Sequence, residues 1–161
     1  MSSRIPRTKS SAAAPAEWMQ QLDHQLCFAL YSSSLVMTKL YKPVLSALGL
    51  TYPQYLVLLV LWESDAISVS ELGTRLFLDS GTLTPLLKRL QAAGWLTRLR
   101  AVDDERRVIV SLTSAGRALR RKAQHVPNEV ACAAGCALDE LADLTRRLQA
   151  LRANLGQHLA A

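Results

Sequence analysis

The apolar pattern of the chain switches from helical to alternating at Gly94, and this switch limits the folds that the chain can adopt. Before Gly94, apolar residues recur every three or four positions, as on the inner faces of helices. After it, residues 95–100 and 107–112 alternate apolar and polar side chains, as in half-buried strands, and the charged segment 101–106 joins them. Gly and Pro are scarce, with seven and six residues, which excludes an all-β fold. We predict a mainly α chain with one small β-hairpin (α+β).

Two short helices are predicted directly before this hairpin. The segment Ser68–Glu71 fits a capping box, in which a serine accepts a hydrogen bond from the third N–H of the helix, and the helix runs to about Phe77. The second helix ends at Gly94. Ser80 is its preferred N-cap, whereas Thr84, which is followed by proline, would start it later. Two helices separated by so short a turn indicate a helix-turn-helix.

Four further helices flank this segment, with approximate bounds 17–48, 52–64, 114–134 and 138–155. Thr51 is the expected N-cap of the second, which is apolar on nearly all sides and therefore belongs in the core. Pro43 is expected to kink or restart the first helix, which Gly49 ends, and Pro127 is expected to kink the third.

These patterns divide the chain into three parts. Residues 1–16 are basic and lack apolar periodicity, so we expect a disordered arm. Residues 51–113 contain the helix-turn-helix and the hairpin. Residues 17–50 and 114–161 form amphipathic helices that one subunit leaves uncovered, and a second copy would bury them. We therefore predict a homodimer.

The positive charge is concentrated in the middle of the chain. The formal net charge is +6, and residues 75–122 alone carry 11 Lys or Arg against four Asp or Glu. Such a basic module is typical of proteins that neutralise phosphates, although a solvated basic face has the same composition.

No membrane span or secretory signal is predicted. The longest apolar run, residues 55–62, has eight residues, whereas about 20 are needed to cross a bilayer. Residues 1–16 lack the apolar region of a secretory signal, so we expect a cytoplasmic protein. Three cysteines are too few for a disulfide framework. The sequence also lacks the C-x₂-C pairs that are typical of zinc sites, so no metal or cofactor is expected.

Helix, tight turn, basic helix and charged hairpin follow one another in the order of a winged helix-turn-helix, whose second helix enters the major groove of double-stranded DNA. At this point the chain resembles the MarR family of bacterial repressors. The residues that carry the resemblance, between about Leu35 and Gly116, are SELGTRL, LDSGTLTPLLKRL, GWLTR, DER and the LT pair before Gly116.

The second helix presents short hydroxyls and cations that suit bases and phosphates. The candidates for DNA binding are Ser80, Thr82, Thr84, Lys88 and Arg89. Arg106, at the hairpin tip, resembles the minor-groove arginine of the family, and Asp104 resembles the partner that holds its guanidinium. The alternative for the helix residues is an ordinary solvated face. The alternative for Asp104 and Arg106 is an ordinary surface ion pair.

Cys27 lies inside the first predicted helix, too far from its N-terminus for the helix dipole to favour a thiolate. Asp23, His24 and Tyr31 are its neighbours at helical spacing. A reactive cysteine in an apolar site needs hydrogen-bond donors aimed at its sulfur, and tyrosine hydroxyls supply them. Three of the four tyrosines, including Tyr41, fall within 25 residues of Cys27. The alternative is an inert buried cysteine.

This arrangement, with the block YSSSLVMTKLYKPVLSALGLTYPQY, resembles the organic-hydroperoxide-sensing branch of the MarR family. The resemblance implies that Cys27 is oxidised, that Tyr41 and Tyr52 donate hydrogen bonds to it and that Tyr31 approaches from the other subunit. It further implies an intersubunit disulfide between Cys27 and Cys132. Cys136 is the alternative resolving cysteine.

The leading hypothesis is therefore a homodimeric repressor that releases a pseudo-palindromic operator when an organic or lipid hydroperoxide oxidises Cys27. A second hypothesis is a repressor released by a small aromatic ligand at the dimer interface, with Cys27 incidental. A thiol peroxidase is disfavoured, because no thioredoxin-like βαβ pattern surrounds Cys27.

Overall fold

The computed structural model describes Trp18, residues 20–102, Asp104 and residues 106–160. The predicted arm, residues 1–16, and the predicted helix start at Glu17 lie outside the described residues. Two compact units follow one another along the chain: residues 1–37, the N-terminal unit, and residues 38–161, the main unit.

The described residues form a mainly helical fold with a small antiparallel sheet, as predicted. Its elements are α1 Leu26–Ser46, α2 Tyr52–Glu63, β1 Ile67–Ser68, α3 Val69–Leu76, α4 Ser80–Ala92, β2 Leu96–Arg100, β3 Val108–Leu112, α5 Ser114–Lys122, α6 Val126–Ala134 and α7 Leu138–Ala160.

The first helix begins later than predicted. Residues Leu22–His24 form a 3₁₀ turn, and Gln25 then adopts an extended conformation, so α1 starts only at Leu26. The His24 ring stacks on Trp18 with the ring centroids 4.0 Å apart, which stabilises the turn as a separate structure. The helix runs through Pro43 to Ser46, so the proline does not restart it.

Helix α2 lies in the core, as its apolar pattern predicted. Thr51 is its N-cap, and the backbone N–H of Thr51 donates a hydrogen bond to Gln54 Oε1 at 2.8 Å. The core residues of α2 are Tyr55, Val57, Leu58, Val60 and Leu61. Side chains from α1, α3 and α4 join the cluster, together with the sheet, α5 and α6.

The sheet has three strands instead of the two predicted. Its order is β1-β3-β2, and Ile67 of β1 pairs with Val110 of β3. With only two residues, β1 is too short to show an alternating pattern, which explains why the sequence did not reveal it. Ser68 Oγ accepts a hydrogen bond from Glu71 N at 3.1 Å, so the predicted cap of α3 is confirmed.

The end of β3 is fixed from two sides. Asp65 Oδ1 accepts a hydrogen bond from Leu112 N at 2.8 Å, and Asp65 Oδ2 accepts one from Arg117 Nη1 at 2.9 Å. Opposite them, Thr113 N donates to Trp95 O at 3.1 Å. Because backbone and side-chain bonds both hold this point, the base of the hairpin is tied to the loop before β1 and to α5.

The helix predicted over residues 114–134 is two helices. The break lies between Lys122 and Val126, and Pro127 sits in the first turn of α6, where its missing N–H costs no hydrogen bond. Helix α7 has no buried residue among those described, and the exposed fractions of Leu138 and Leu155 are 74% and 54%. Among the described residues, no helix is both long and apolar enough to span a membrane.

Candidate nucleic-acid interface

The N-cap of α4 is Asp79. Its Oδ1 accepts a hydrogen bond from Thr82 N and its Oδ2 accepts one from Thr82 Oγ1, both at 2.8 Å. These two bonds hold the pKa of the Asp79 carboxyl below its usual value, and the bond from the Thr82 N–H has the larger effect. The prediction of Ser80 as N-cap is therefore wrong by one residue, and the alternative start at Thr84 is also wrong. Aspartate precedes serine here, and its Oδ1 caps the helix while its Oδ2 holds the Thr82 hydroxyl.

Helix α4 separates a buried face from a polar face. Leu83, Leu87 and Leu90 are buried on one side. The predicted DNA-binding residues Ser80, Thr82, Lys88 and Arg89 are exposed, and Thr84 is half-buried. The Thr82 hydroxyl already donates to Asp79, so it has only lone pairs to offer a further partner.

The pair expected at the hairpin tip is present. Asp104 Oδ1 accepts a hydrogen bond from Arg106 N at 3.0 Å and lies 3.4 Å from Arg106 Nε. The Arg106 side chain is 94% exposed. An exposed pair of this kind contributes at most about 1 kcal/mol to stability, so it orients the guanidinium more than it stabilises the fold.

A cleft of about 450 Å³ lies between α4 and the hairpin. Its lining includes Thr84 and Asp104 and three arginines, Arg98, Arg106 and Arg107. Arg98 Nε donates to Gln91 Oε1 at 2.7 Å, which joins β2 to α4. The sequence analysis did not predict Arg98 or Arg107 as residues of the nucleic-acid interface. The available signal was the alternation of β2, which places Arg98 on the same face as buried Leu96.

Cys27 lies in the N-terminal unit as the second residue of α1, and it is exposed. The premise that it lies far from the helix N-terminus is wrong. Asp23 and His24 belong to the preceding 3₁₀ turn, so they are not its helical neighbours either. Tyr31, one turn further along α1, is 62% exposed.

Tyr41 and Tyr52 lie side by side in the main unit. Their ring centroids are 4.6 Å apart, and Tyr55 lies 6.1 Å from Tyr41. Burial raises the pKa of all three phenols above 10.0, and the neighbouring phenols raise the pKa of Tyr41 further. The hydroxyls therefore stay protonated at neutral pH and remain hydrogen-bond donors. Their contact with Cys27 stays a prediction.

The other two cysteines are also exposed. Cys132 lies on α6, and Cys136 lies in the segment before α7, with its sulfur 3.4 Å from Ala134 O. Within the described ranges, no group of three or more His, Cys, Asp or Glu side chains could hold a metal ion.

Helix α4 exposes cations, the hairpin carries an arginine at its tip, and guanidinium groups line the cleft between them. Together these features are typical of a winged-helix protein that binds nucleic acid. Comparison with known proteins narrows this class. Residues 39–122 match the family described as transcriptional regulator SarA/Rot. The chain belongs to this family of MarR-like winged-helix transcriptional regulators, in the branch of the organic hydroperoxide resistance regulators. It is a DNA-binding regulator and not an enzyme, as expected.

Two curated relatives and one solved protein illustrate the relationship. The regulator TtmR of Methylorubrum extorquens is 47% identical over 93% of this chain and 77% of its own length. The organic hydroperoxide resistance transcriptional regulator of Bacillus subtilis is 53% identical over 68% of this chain and 75% of its own length.

AbfR of Staphylococcus epidermidis superposes with a TM-score of 0.71 at 33% identity, covering 90% of this chain and 97% of AbfR. Further structures show an overoxidized AbfR bound to DNA, with a TM-score of 0.70, 37% identity and coverage of 86% and 97%. A disulfide form of AbfR has a TM-score of 0.58, 38% identity and coverage of 84% and 94%.

Proposed function

We propose that the chain is a homodimeric repressor that binds a pseudo-palindromic operator and releases it when an organic hydroperoxide oxidises Cys27. The observation that carries this proposal is the 53% identity to the Bacillus organic hydroperoxide resistance regulator. Two observations support it: the sulfur of Cys27 is exposed, and the phenols of Tyr41 and Tyr52 are adjacent to each other. In this proposal residues 51–113 contact DNA, and residues 17–50 and 114–161 form the dimer.

The first chemical step is a two-electron oxidation of Cys27. Its thiolate attacks the terminal oxygen of the hydroperoxide, so that an S–O bond forms and the O–O bond breaks. The alkoxide leaves and takes up a proton to become an alcohol, and the protein retains a sulfenic acid. Tyr41 and Tyr52 are proposed to donate hydrogen bonds to the sulfur, and Tyr31 of the other subunit is proposed to approach the same site.

The second step is formation of an intersubunit disulfide. The thiolate of Cys132 from the other subunit attacks the sulfenic sulfur, an S–S bond forms, and hydroxide leaves and becomes water. Cys136 is the alternative attacking group. The structure of overoxidized AbfR is bound to DNA, and AbfR also has a disulfide form. We therefore take the disulfide, and not further oxidation, as the event that releases the operator.

A mobility-shift assay with one equivalent of cumene hydroperoxide per Cys27 tests the proposal. We expect loss of the shifted operator band and its return after dithiothreitol. Release by an aromatic compound with no mass change at Cys27 would favour the ligand-released repressor instead. Many turnovers of peroxide per protein would indicate a thiol peroxidase.

The proposed dimer predicts a particle of twice 17.7 kDa in sedimentation at micromolar concentration. Its driving force is the burial of apolar side chains that one subunit leaves exposed, including Leu26 in the N-terminal unit and Leu138, Leu144 and Leu155 on α7. A stable monomer at that concentration would contradict the prediction. Two modules on one face of the duplex require half-sites about 34 Å apart.

Arg106→Ala is predicted to weaken operator binding about tenfold, with the largest loss for sites whose flanking minor groove is A·T-rich. Lys88→Ala is predicted to reduce the slope of log affinity against log salt by about one unit, since one phosphate contact is lost. Fluorescence anisotropy at several salt concentrations measures both effects. Wild-type affinity of Arg106→Ala at physiological salt would refute the role of the hairpin.

A further inference from the structure

The turn between α3 and α4 contains a phenylalanine in an unusual backbone conformation. Phe77 is the C-cap of α3, and its φ of 56° and ψ of 37° lie in the left-handed region that bulky residues rarely adopt. Glycine is the usual residue at such a helix end, because it adopts this conformation without strain. Phe77 is also 67% exposed, so its side chain is not part of the core. A strained and exposed phenylalanine indicates that its side chain is used for another contact.

That contact comes from α7. The Cζ atom of Arg152 lies 4.4 Å from the centroid of the Phe77 ring, within the distance at which the face of a ring attracts a cation. Both residues belong to the main unit. Arg152 forms no ion pair within the described part of the chain, so no carboxylate there competes with the ring for its charge. Since α7 has no buried residue among those described, this contact joins a largely exposed helix to the helix-turn-helix.

The position of Phe77 is connected to the start of α4 by two short steps. Leu78 follows Phe77, and its N–H donates to Gly73 O at 3.0 Å, which holds the turn against α3. Asp79 comes next and caps α4, where it accepts hydrogen bonds from the N–H and the hydroxyl of Thr82. A group that holds the Phe77 ring therefore acts on the end of α4 that carries Thr82, one of the residues predicted to bind DNA.

We propose that Arg152 is a positioning residue for DNA binding. Its guanidinium holds the ring of Phe77, and this keeps the turn between α3 and α4 in the conformation that presents the start of α4 to the duplex. Arg152 acts through Phe77 and does not itself contact DNA.

The location of Arg152 on α7 extends this role to regulation. Leu155 lies three positions after Arg152, on the same side of the helix, and it is among the exposed apolar side chains assigned to the proposed dimer. A rearrangement of the two subunits would therefore move the guanidinium relative to Phe77. Formation of the proposed intersubunit disulfide would reach α4 through this contact, a step that rests on the proposed function, whereas the positioning role in the reduced protein does not.

The first test measures the affinity of the reduced full-length protein for a fluorescent operator duplex, selected by the wild type from random-sequence DNA. R152M keeps the length of arginine without its charge, and F77L keeps apolar bulk without a ring. We expect each to lower the affinity about fivefold. R152K and F77Y retain a cation and a ring, so each should lower it less than twofold. The double variant R152M/F77L should bind no more weakly than either single variant, because both changes remove the same contact.

Three results of this test would overturn the inference. The first is wild-type affinity of R152M. The second is a double variant whose loss equals the product of the two single losses, since the side chains would then act independently. The third is a decrease of about one unit in the slope of log affinity against log salt for R152M, which would show that Arg152 contacts a phosphate directly. A positioning residue leaves this slope unchanged.

Hydrogen exchange of the free reduced protein, followed by mass spectrometry, separates a local role from a general loss of structure. Residues 76–82 should exchange faster in R152M than in the wild type, and R152K should restore the slow exchange. Exchange in α2, which lies in the core, should be the same in all three proteins. Faster exchange throughout α2 in R152M would mean that the variant loosens the whole fold, and it would overturn the positioning role.

A final measurement tests the regulatory step. The wild type and R152M are converted to the disulfide form with cumene hydroperoxide, and the ratio of reduced to disulfide operator affinity is compared. We expect this ratio to be about fivefold smaller for R152M, because the disulfide form has already lost the contact with Phe77. Equal ratios would overturn transmission through Arg152. If no disulfide forms in either protein, the proposed function fails, and the affinities of the reduced variants still decide whether Arg152 positions α4.

Discussion

Cys27→Ser is expected to bind the operator with wild-type affinity and to show no release by organic hydroperoxide at any concentration that releases the wild type. The serine hydroxyl fills the space of the thiol but cannot form a sulfenic acid, so the first step of the proposed chemistry is lost. Mobility shifts before and after cumene hydroperoxide, each repeated with dithiothreitol, measure the effect. Release of the Cys27→Ser protein by hydroperoxide would place the sensing group elsewhere.

The other two cysteines provide the matched variants. Cys132→Ser should still be oxidised at Cys27 but should form no intersubunit disulfide, which leaves the sulfenic acid open to irreversible oxidation. Cys136→Ser should behave like the wild type. On a non-reducing gel, a dimer band that survives Cys132→Ser and disappears in Cys136→Ser would reverse the assignment of the resolving cysteine. If neither variant nor the wild type gives a band, the sensor works with one cysteine.

Gly116→Ala is expected to cause the largest loss of stability of any alanine substitution at a glycine in the described chain. A Cβ atom at this position would lie 2.0 Å from Trp95 O, which is backbone and cannot rotate away. The surroundings are also fixed, because Gly116 N donates to Thr113 Oγ1 at 3.0 Å and Gly116 O accepts from Trp62 Nε1 at 3.0 Å. Overpacking usually costs about 1–3 kcal/mol, and we expect at least the upper value here.

Urea unfolding of the reduced protein, at one fixed protein concentration because of the proposed dimer, measures this loss. Gly156→Ala on α7 is the matched control. Apart from the backbone of its own helix, no atom of the described subunit lies within 4 Å of its Cβ, and alanine should stabilise that helix by about 0.5–1 kcal/mol. A Gly116→Ala protein as stable as the wild type would show that the contact between α5 and Trp95 relaxes easily.

The sequence predicted best the elements whose local chemistry and long-range packing agree. The N-cap at Ser68 and the alternating strands of the hairpin were found because a cap and a period of two are local signals. The pairing of Asp104 with Arg106 at the hairpin tip was predicted from the family resemblance, and the structure contains this pair.

The errors arise where two local signals compete or where a feature is too short. Asp79 and Ser80 are both good N-caps, and only the two bonds to Thr82 decide between them. Apolar spacing continues from Trp18 past Leu26, which predicted one long helix. Because Gln25 is extended, the helix begins at Leu26, and Cys27 lies in its first turn instead of its interior. The 4.6 Å approach of the Tyr41 and Tyr52 rings depends on how α1 packs against the start of α2, which no periodicity encodes.

The joint between β1 and α3 has a consequence for how such a regulator can be altered. Ser68 is both the last residue of β1 and the N-cap of α3, and β3 pairs with β1 as well as with β2. The first helix of the helix-turn-helix therefore cannot turn without breaking the pairs that Ile67 and Ser68 make in the sheet. In the proposed dimer, each module that contacts DNA is then stiff, and only the distance and angle between the two modules remain adjustable. Sequence preference and the proposed response to oxidation are then separable, so exchanging the exposed side chains of α4 should redirect the protein to a new operator while the proposed release by peroxide is kept.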